Sequence, residues 1–132
     1  MKLIINTDGG ARGNPGPAAV GVVIKDSAGK VLLKKGKVIG ETTNNQAEYQ
    51  AVVLALEEAK KLGGTELNFN LDSELVVKQL NGEYKVKDAG LAQQFLKIFN
   101  AKNKFQAVNF KHVRREMNKE ADALVNEALD AK

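Results

Sequence analysis

An α/β domain with a mixed five-stranded sheet is the fold class this chain predicts, and three observations predict it. Strand-like and helix-like runs follow one another as three strands, a helix, a strand, two helices, a strand and a helix. The first three strands are joined by short turns, which makes an antiparallel meander. The fourth is reached through a long helix, a crossover that permits parallel pairing with the first. A chain of 132 residues fits one compact domain with a genuine core and is too short for two ordinary ones, so residues 1–132 are expected to form a single domain.

Each element has a local reason. Leu3, Ile4 and Ile5 carry a first strand over residues 2–8, and residues 18–26 and 30–39 give two more, joined by the turn Ser27-Ala28-Gly29. Thr43-Asn44-Asn45-Gln46 has the form of a capping box. It opens a helix over 43–62 with Ala47, Ala51, Leu54, Ala55 and Leu62 at helical spacing, closed by Gly63-Gly64. Leu67, Phe69 and Leu71 alternate with Asn68, Asn70 and Asp72, a strand of period two, and Ser73 caps a helix over 74–80 that Asn81-Gly82 ends. A helix near 90–101, a strand over 105–113 and a last helix from about Asn118, striped by Ala121, Leu124, Val125, Ala128 and Leu129, complete the chain.

Hydrophobic residues at 43% and charged residues at 27% are the balance of a soluble globular protein. The absence of cysteine excludes disulfides, iron–sulfur clusters and thiolate nucleophiles, and the lone His112 cannot support a zinc site built on several histidines. Any metal must be held by oxygen. The start MKLIINTD has three consecutive apolar residues, which is neither a signal peptide nor a membrane span, so a cytoplasmic location is the expectation. A net charge of +4 favours anionic partners but equally fits a lysine-rich solvated surface.

The segment NTDGGARGNPGPAAVG at 6–21 crowds Gly9, Gly10, Gly13 and Gly16 together, yet it is no phosphate-cradling loop, because it leads into a strand rather than a helix and lacks Gly-Lys-Ser/Thr. Asp8 and Asp72 each end an apolar strand in this reading, with Asn6 and Asn70 two residues before them. Parallel neighbours lie about 4.8 Å apart, so both carboxylates would crowd together. Glu48 shares a helical stripe with Val52, Ala55 and Ala59, which predicts burial. Asp122 sits in the first turn of the last helix, where the dipole favours an anion. Singly, each acid has an ordinary structural explanation as a cap, turn former or dipole partner. Together they would repel one another unless cations lay between them, which suggests a cage for hard ions such as Mg²⁺. Two such ions about 4 Å apart can activate water and stabilise the leaving oxygen in phosphodiester hydrolysis. A serine–histidine triad is the weaker enzyme reading, since neither Ser27 nor Ser73 lies in G-x-S-x-G.

Four motifs in order, TDGGARGNPGPA at 7–18, TTNNQAEYQA at 42–51, LNFNLDSELVV at 67–77 and HVRREMNKEADALVNEA at 112–128, make the chain resemble a type 1 ribonuclease H over essentially its whole length. The resemblance implies a ribonuclease H-like fold, a mixed five-stranded sheet with helices on both faces. It implies a monomeric endonuclease that uses two Mg²⁺ ions, with Mn²⁺ as a substitute, to cut the RNA strand of RNA–DNA hybrids, leaving 3′-hydroxyl and 5′-phosphate ends. It makes Asp8, Glu48, Asp72 and Asp122 the metal-holding quartet, with Glu48 also reaching toward the attacking water or a ribose hydroxyl. It places His112 in a mobile loop, assisting proton movement or product departure. Gly10, Asn14, Asn44 and Gln46 would meet ribose hydroxyls and bases, Arg12 a phosphate, and Thr43 a DNA phosphate.

Two departures from the family pattern stand out. Glu41 occupies a position that is basic in some members, two residues before Thr43. The chain passes from Val77 through NGEYKVKDAG to Leu91 without a basic handle helix and has no tryptophan, so Tyr84, Lys85 and Lys87 are the substitute contacts. Weaker, more salt-sensitive hybrid binding follows, and compact relatives of this kind include some that cut double-stranded RNA. A binding module without catalysis and a DNA-cutting enzyme of the same fold are the competing readings.

Overall fold

The structure, a computed structural model, describes residues 1–131. Strands β1 (Lys2–Ala11), β2 (Gly16–Asp26) and β3 (Val31–Thr42) form the expected meander, followed by α1 (Asn44–Lys61), β4 (Glu66–Leu71), α2 (Glu74–Leu80), α3 (Ala89–Lys102), β5 (Ala107–His112), a 3₁₀ turn over Arg115–Met117 and α4 (Lys119–Asp130). The sheet order is β3-β2-β1-β4-β5, with β1 antiparallel to β2 and parallel to β4. Strand β1 is thus central, and its two neighbours run in opposite directions.

Alternation along β1 assigns the two faces. Leu3 and Ile5 join Tyr49 and Val52 of α1, Phe69 of β4, and Leu91 and Ile98 of α3 in the main core. On the opposite face Ala19 meets Val125 and Leu129 of α4. Helices therefore cover both faces of a mixed sheet, as the resemblance implied. Within the larger core, Tyr49 Oη donates to Gln79 Oε1 at 2.7 Å and ties α1 to α2.

Besides shifts of one to three residues at the ends of β2, β3 and β5, three features differ from the expectations: the end of β1, the loop that the resemblance implied for His112, and the capping box. Asp8 does not end β1, because Gly9, Gly10 and Ala11 continue to pair with Val20, Ala19 and Ala18 of β2. The parallel partner β4 is what stops, at the pair Asn6↔Asn70. His112 is not in a loop. It closes β5 in register with Leu71, and Val113 N–H donates to the Leu71 carbonyl at 2.8 Å. The capping box is half made: Thr43 Oγ1 accepts from Gln46 N at 3.2 Å, while the Gln46 side chain lies toward Gly90 on α3.

Candidate active site

The cleft lies where β1 outruns β4, a cavity of about 390 Å³ whose lining includes Asp8, Glu48, Asp72 and Asp122. Asp8 projects from β1, Asp72 follows the last residue of β4, Glu48 comes from the first turns of α1, and Asp122 from the start of α4. Asp8, Glu48 and Asp72 each offer a carboxylate oxygen within 4.8 Å of the others. Asp122 lies outside that trio, exposed on the same cleft wall. The quartet is thus a tight group of three, Asp8 and Glu48 buried and Asp72 half-buried, with a fourth acid at the mouth.

Glu48 reaches the trio because α1 presses directly on β1. A Cβ added at Gly9 would stand 2.2 Å from the Ala47 carbonyl carbon, so only glycine permits this approach. The same residue fixes the acid, since Gly9 N–H donates to Glu48 Oε1 at 2.8 Å. The other oxygen, Glu48 Oε2, is buried with no hydrogen-bond partner. Gly10, named in the sequence reading, is sterically free by comparison, with Val125 Cγ1 at 3.7 Å from an added Cβ.

Crowding shows in the protonation energetics. Burial, opposed by a hydrogen bond with Glu48 and reinforced by the charges of Asp72 and Asp122, pushes the Asp8 carboxyl from 3.8 up to about 7. Burial also holds Glu48 well above the usual carboxylate range, with Asp8 adding to it and the Gly9 N–H partly offsetting it. Without cations the ionised trio is therefore unfavourable. Hard oxygen donors, close approach, mutual repulsion and an unpartnered buried oxygen fit a divalent ion such as Mg²⁺.

Two residues at this cleft escaped the sequence reading. Asn118, 1% exposed, donates its amide to the Thr7 carbonyl at 2.9 Å and to Asp72 Oδ2 at 3.3 Å. Its oxygen accepts from Asn6 Nδ2 at 3.0 Å. It precedes α4 without capping it through its side chain, so the amide serves the strand ends instead. Arg115, in the 3₁₀ turn, lines the cleft beside Asp122.

The remaining candidates divide. Asn44 lines the cleft, and its Oδ1 accepts from Ala11 N at 2.8 Å, while Asn14 Oδ1 accepts from Asn44 N at 3.0 Å. Both amide oxygens are thereby spent on backbone, leaving the amide nitrogens as the donors available to a ligand. Arg12 also lines the cleft, but its guanidinium pairs with Asp130 of α4 at 2.7 Å, which a phosphate would have to displace. Thr43 and Gln46 belong to an adjoining hollow with Asn14, Asn44 and Asp88. His112 stands one strand beyond Asp72, its Nδ1 3.9 Å from Glu74 Oε2. Tyr84, Lys85 and Lys87 lie on the exposed connection between α2 and α3, outside the cleft lining. There Lys78 Nζ, 3.3 Å from Tyr84 Oη, holds the tyrosine.

Comparison with known proteins places this arrangement. The family model described as Reverse transcriptase-like matches residues 6–128. Ribonuclease HI of Halobacterium salinarum is 44% identical over 123 residues, covering 93% of this chain and 62% of its own length. A bifunctional protein of Mycobacterium tuberculosis is 42% identical over 132 residues, which are 99% of this chain and 36% of that protein. The chain thus spans only part of these relatives. Among solved structures, RNase H1 from Halobacterium salinarum superposes with a TM-score of 0.98 at 41% identity, covering 100% of both chains. LC11-RNase H1, solved in complex with an RNA/DNA hybrid, gives a TM-score of 0.94 at 48% identity over 98% of this chain and 97% of that one. With four motifs in order, a matching sheet and relatives that cover it end to end, the chain belongs to the type 1 ribonuclease H family.

Proposed function

We propose that this chain is an endoribonuclease that hydrolyses the RNA strand of RNA–DNA hybrids with two divalent ions, Mg²⁺ or in its place Mn²⁺, leaving 3′-hydroxyl and 5′-phosphate ends. The observation that carries the reading is the trio of oxygens from Asp8, Glu48 and Asp72 within 4.8 Å of one another, in an open cleft with Asp122 on its wall. These four acids would hold the ions. When bound, such ions supply Lewis acidity and a more acidic water, and they stabilise a leaving oxygen. In the reaction a water oxygen bonds to phosphorus, the bond from phosphorus to the 3′ oxygen breaks, and that oxygen takes up a proton.

The chain's own residues set up the rest. The Gly9 N–H keeps Glu48 turned to the trio, and Asn118 keeps Asp72 against the end of β1. Asn14 and Asn44, with their amide oxygens already engaged, present N–H donors to acceptors on ribose and base edges. A 2′-hydroxyl among those acceptors is what distinguishes RNA from DNA. The hybrid-bound relative supports the substrate class. Double-stranded RNA shares the 2′-hydroxyl and is the secondary substrate to test.

The test is cleavage of 5′-labelled RNA in a hybrid, as a single strand and in an RNA duplex, beside a labelled all-DNA duplex, with Mg²⁺, Mn²⁺ or EDTA. Metal-dependent cutting of the hybrid is expected. Equal cutting of an all-DNA duplex, or no cutting by folded protein with any metal, overturns the reading. His112, at the end of β5 one strand beyond Asp72, is expected to move a proton: His112→Ala slows hybrid cleavage by roughly 100-fold, the low end for general acid–base help. A single-turnover rate equal to wild type would leave His112 as a surface residue ending β5.

A further inference from the structure

Asp122 is pinned at one point by the chain next to it, its N–H donating to the carbonyl of Asn118, whose side chain is tied to Thr7 of β1. Beyond that point Asp122 rides on α4, and what α4 rests on is a row of residues running across three strands. Asp8 of β1 pairs with Gly21 of β2, and Gly21 pairs with Gly36 of β3. Directly paired residues point to the same face of a sheet, so the side chain of Asp8 and the two missing side chains all face α4. The helix backbone descends onto the two empty places. A Cβ at Gly21 would stand 2.3 Å from the Ala121 carbonyl oxygen, and one at Gly36 would stand 2.7 Å from the Leu124 carbonyl oxygen. The obstacles are backbone atoms, which cannot turn aside as a flexible side chain can. Ala121 is the residue immediately before Asp122.

We propose that Gly21 and Gly36 are positioning residues for Asp122, a seat that sets how close its carboxylate stands to Asp8 and hence how tightly the acids hold a divalent ion. The proposal rests on the metal-dependent nuclease reading and adds to it what determines the spacing between the trio and the fourth acid. Any side chain on the seat lifts the body of α4 beyond its anchor at Asn118, while Asp8 and Glu48 stay where β1 and α1 hold them and Asp72 keeps its place at the end of β4 beside Asn118.

The steric distances order the expected effects. Gly21→Ala weakens calorimetric Mn²⁺ binding by roughly tenfold or more, the scale of lost support behind a metal ligand, and Gly36→Ala weakens it less. A merely structural role predicts otherwise: any loss of metal affinity would follow global stability alone. Ile98→Ala, which cavitates the core on the opposite face, provides that comparison at similar stability and should leave Mn²⁺ affinity unchanged. In an Asp122→Ala background, Gly21→Ala should cost no further affinity. Wild-type Mn²⁺ affinity in both glycine variants overturns the proposal, as does an unaltered additional loss in the Asp122→Ala background. If Gly21→Ala fails to fold, Gly36→Ala carries the test. A crystal structure of Gly36→Ala with the Asp8-to-Asp122 separation unchanged overturns the seat whatever the nuclease assay returns, whereas absence of cleavage by wild-type protein overturns the nuclease reading and leaves that coordinate test standing.

Discussion

Asp8→Asn lowers hybrid cleavage by at least roughly 1000-fold, the scale lost when a main electrostatic stabiliser of a transition state is removed, and the same substitution stabilises the metal-free protein at neutral pH. Both effects have one origin. Asp8 is placed where its charge is useful to a bound cation and costly without one: it is buried beside Glu48 and near Asp72 and Asp122. Asparagine keeps the shape and discards the charge. Hybrid binding in Ca²⁺ should persist, which separates lost chemistry from lost affinity. Wild-type turnover in Asp8→Asn would remove Asp8 from the metal-holding set.

The pH dependence follows with a definite sign. In the metal-free folded protein the Asp8 carboxyl is pushed from 3.8 up to about 7. Between those values the folded state binds a proton that the unfolded state has released, so stability falls as pH rises through the window. Below it the effect vanishes, and above about pH 7 the full penalty of ionised Asp8 is present. At about 1.4 kcal/mol for each tenfold change in proton affinity, the penalty is on the order of a few kcal/mol. Glu48 acts in the same direction. Urea unfolding in EDTA should show wild type losing stability between pH 5 and 8 and Asp8→Asn losing much less, so that the two converge at acid pH. Mg²⁺ should restore wild type at pH 8 and help the variant little. A stability gain in Asp8→Asn that is equal at both pH values would contradict the account.

Much of this site was legible in the chain, and what was not has identifiable causes. Glu48 declared its burial by sharing a stripe with Val52, Ala55 and Ala59, because a 3.6-residue period records which side of a helix faces the core. The continuation of β1 through Gly9 and Gly10 left no such trace: glycine is depleted in strands, and only pairing with Ala19 and Val20 makes these residues a strand. Asn118 could be read only as a helix start, since its partner Thr7 lies 111 residues away. The seat under α4 is likewise invisible locally, because Gly21 and Gly36 matter through the Ala121 and Leu124 carbonyls. Arg12 showed its charge but not its partner Asp130. Periodicity reports a residue's environment, whereas long-range polar partners and close backbone approaches depend on the assembled fold.

Gly9→Ala is the largest stability effect expected, and Gly10→Ala beside it makes the expectation sharp. The added methyl at Gly9 meets three backbone atoms of α1: the Ala47 carbonyl carbon and oxygen at 2.2 and 2.3 Å, and the Glu48 nitrogen at 2.5 Å. None can move without lifting the helix or bending the central strand, so the loss should reach about 3 kcal/mol or more, the upper range for overpacking. Lifting α1 also parts the Gly9 N–H from Glu48 Oε1, so any folded Gly9→Ala protein should bind Mn²⁺ weakly as well. At Gly10 the nearest atom is a side-chain methyl at ordinary contact distance, and the change should cost less than about 1 kcal/mol. Urea unfolding of the two variants in parallel is the measurement. Equal stabilities would mean that α1 does not rest on β1 as closely as the structure shows, and the placement of Glu48 would need another cause. A stable Gly10→Ala that loses hybrid affinity while keeping Mn²⁺ binding would instead assign Gly10 to close approach of the substrate backbone, because its methyl then obstructs the nucleic acid and not the fold.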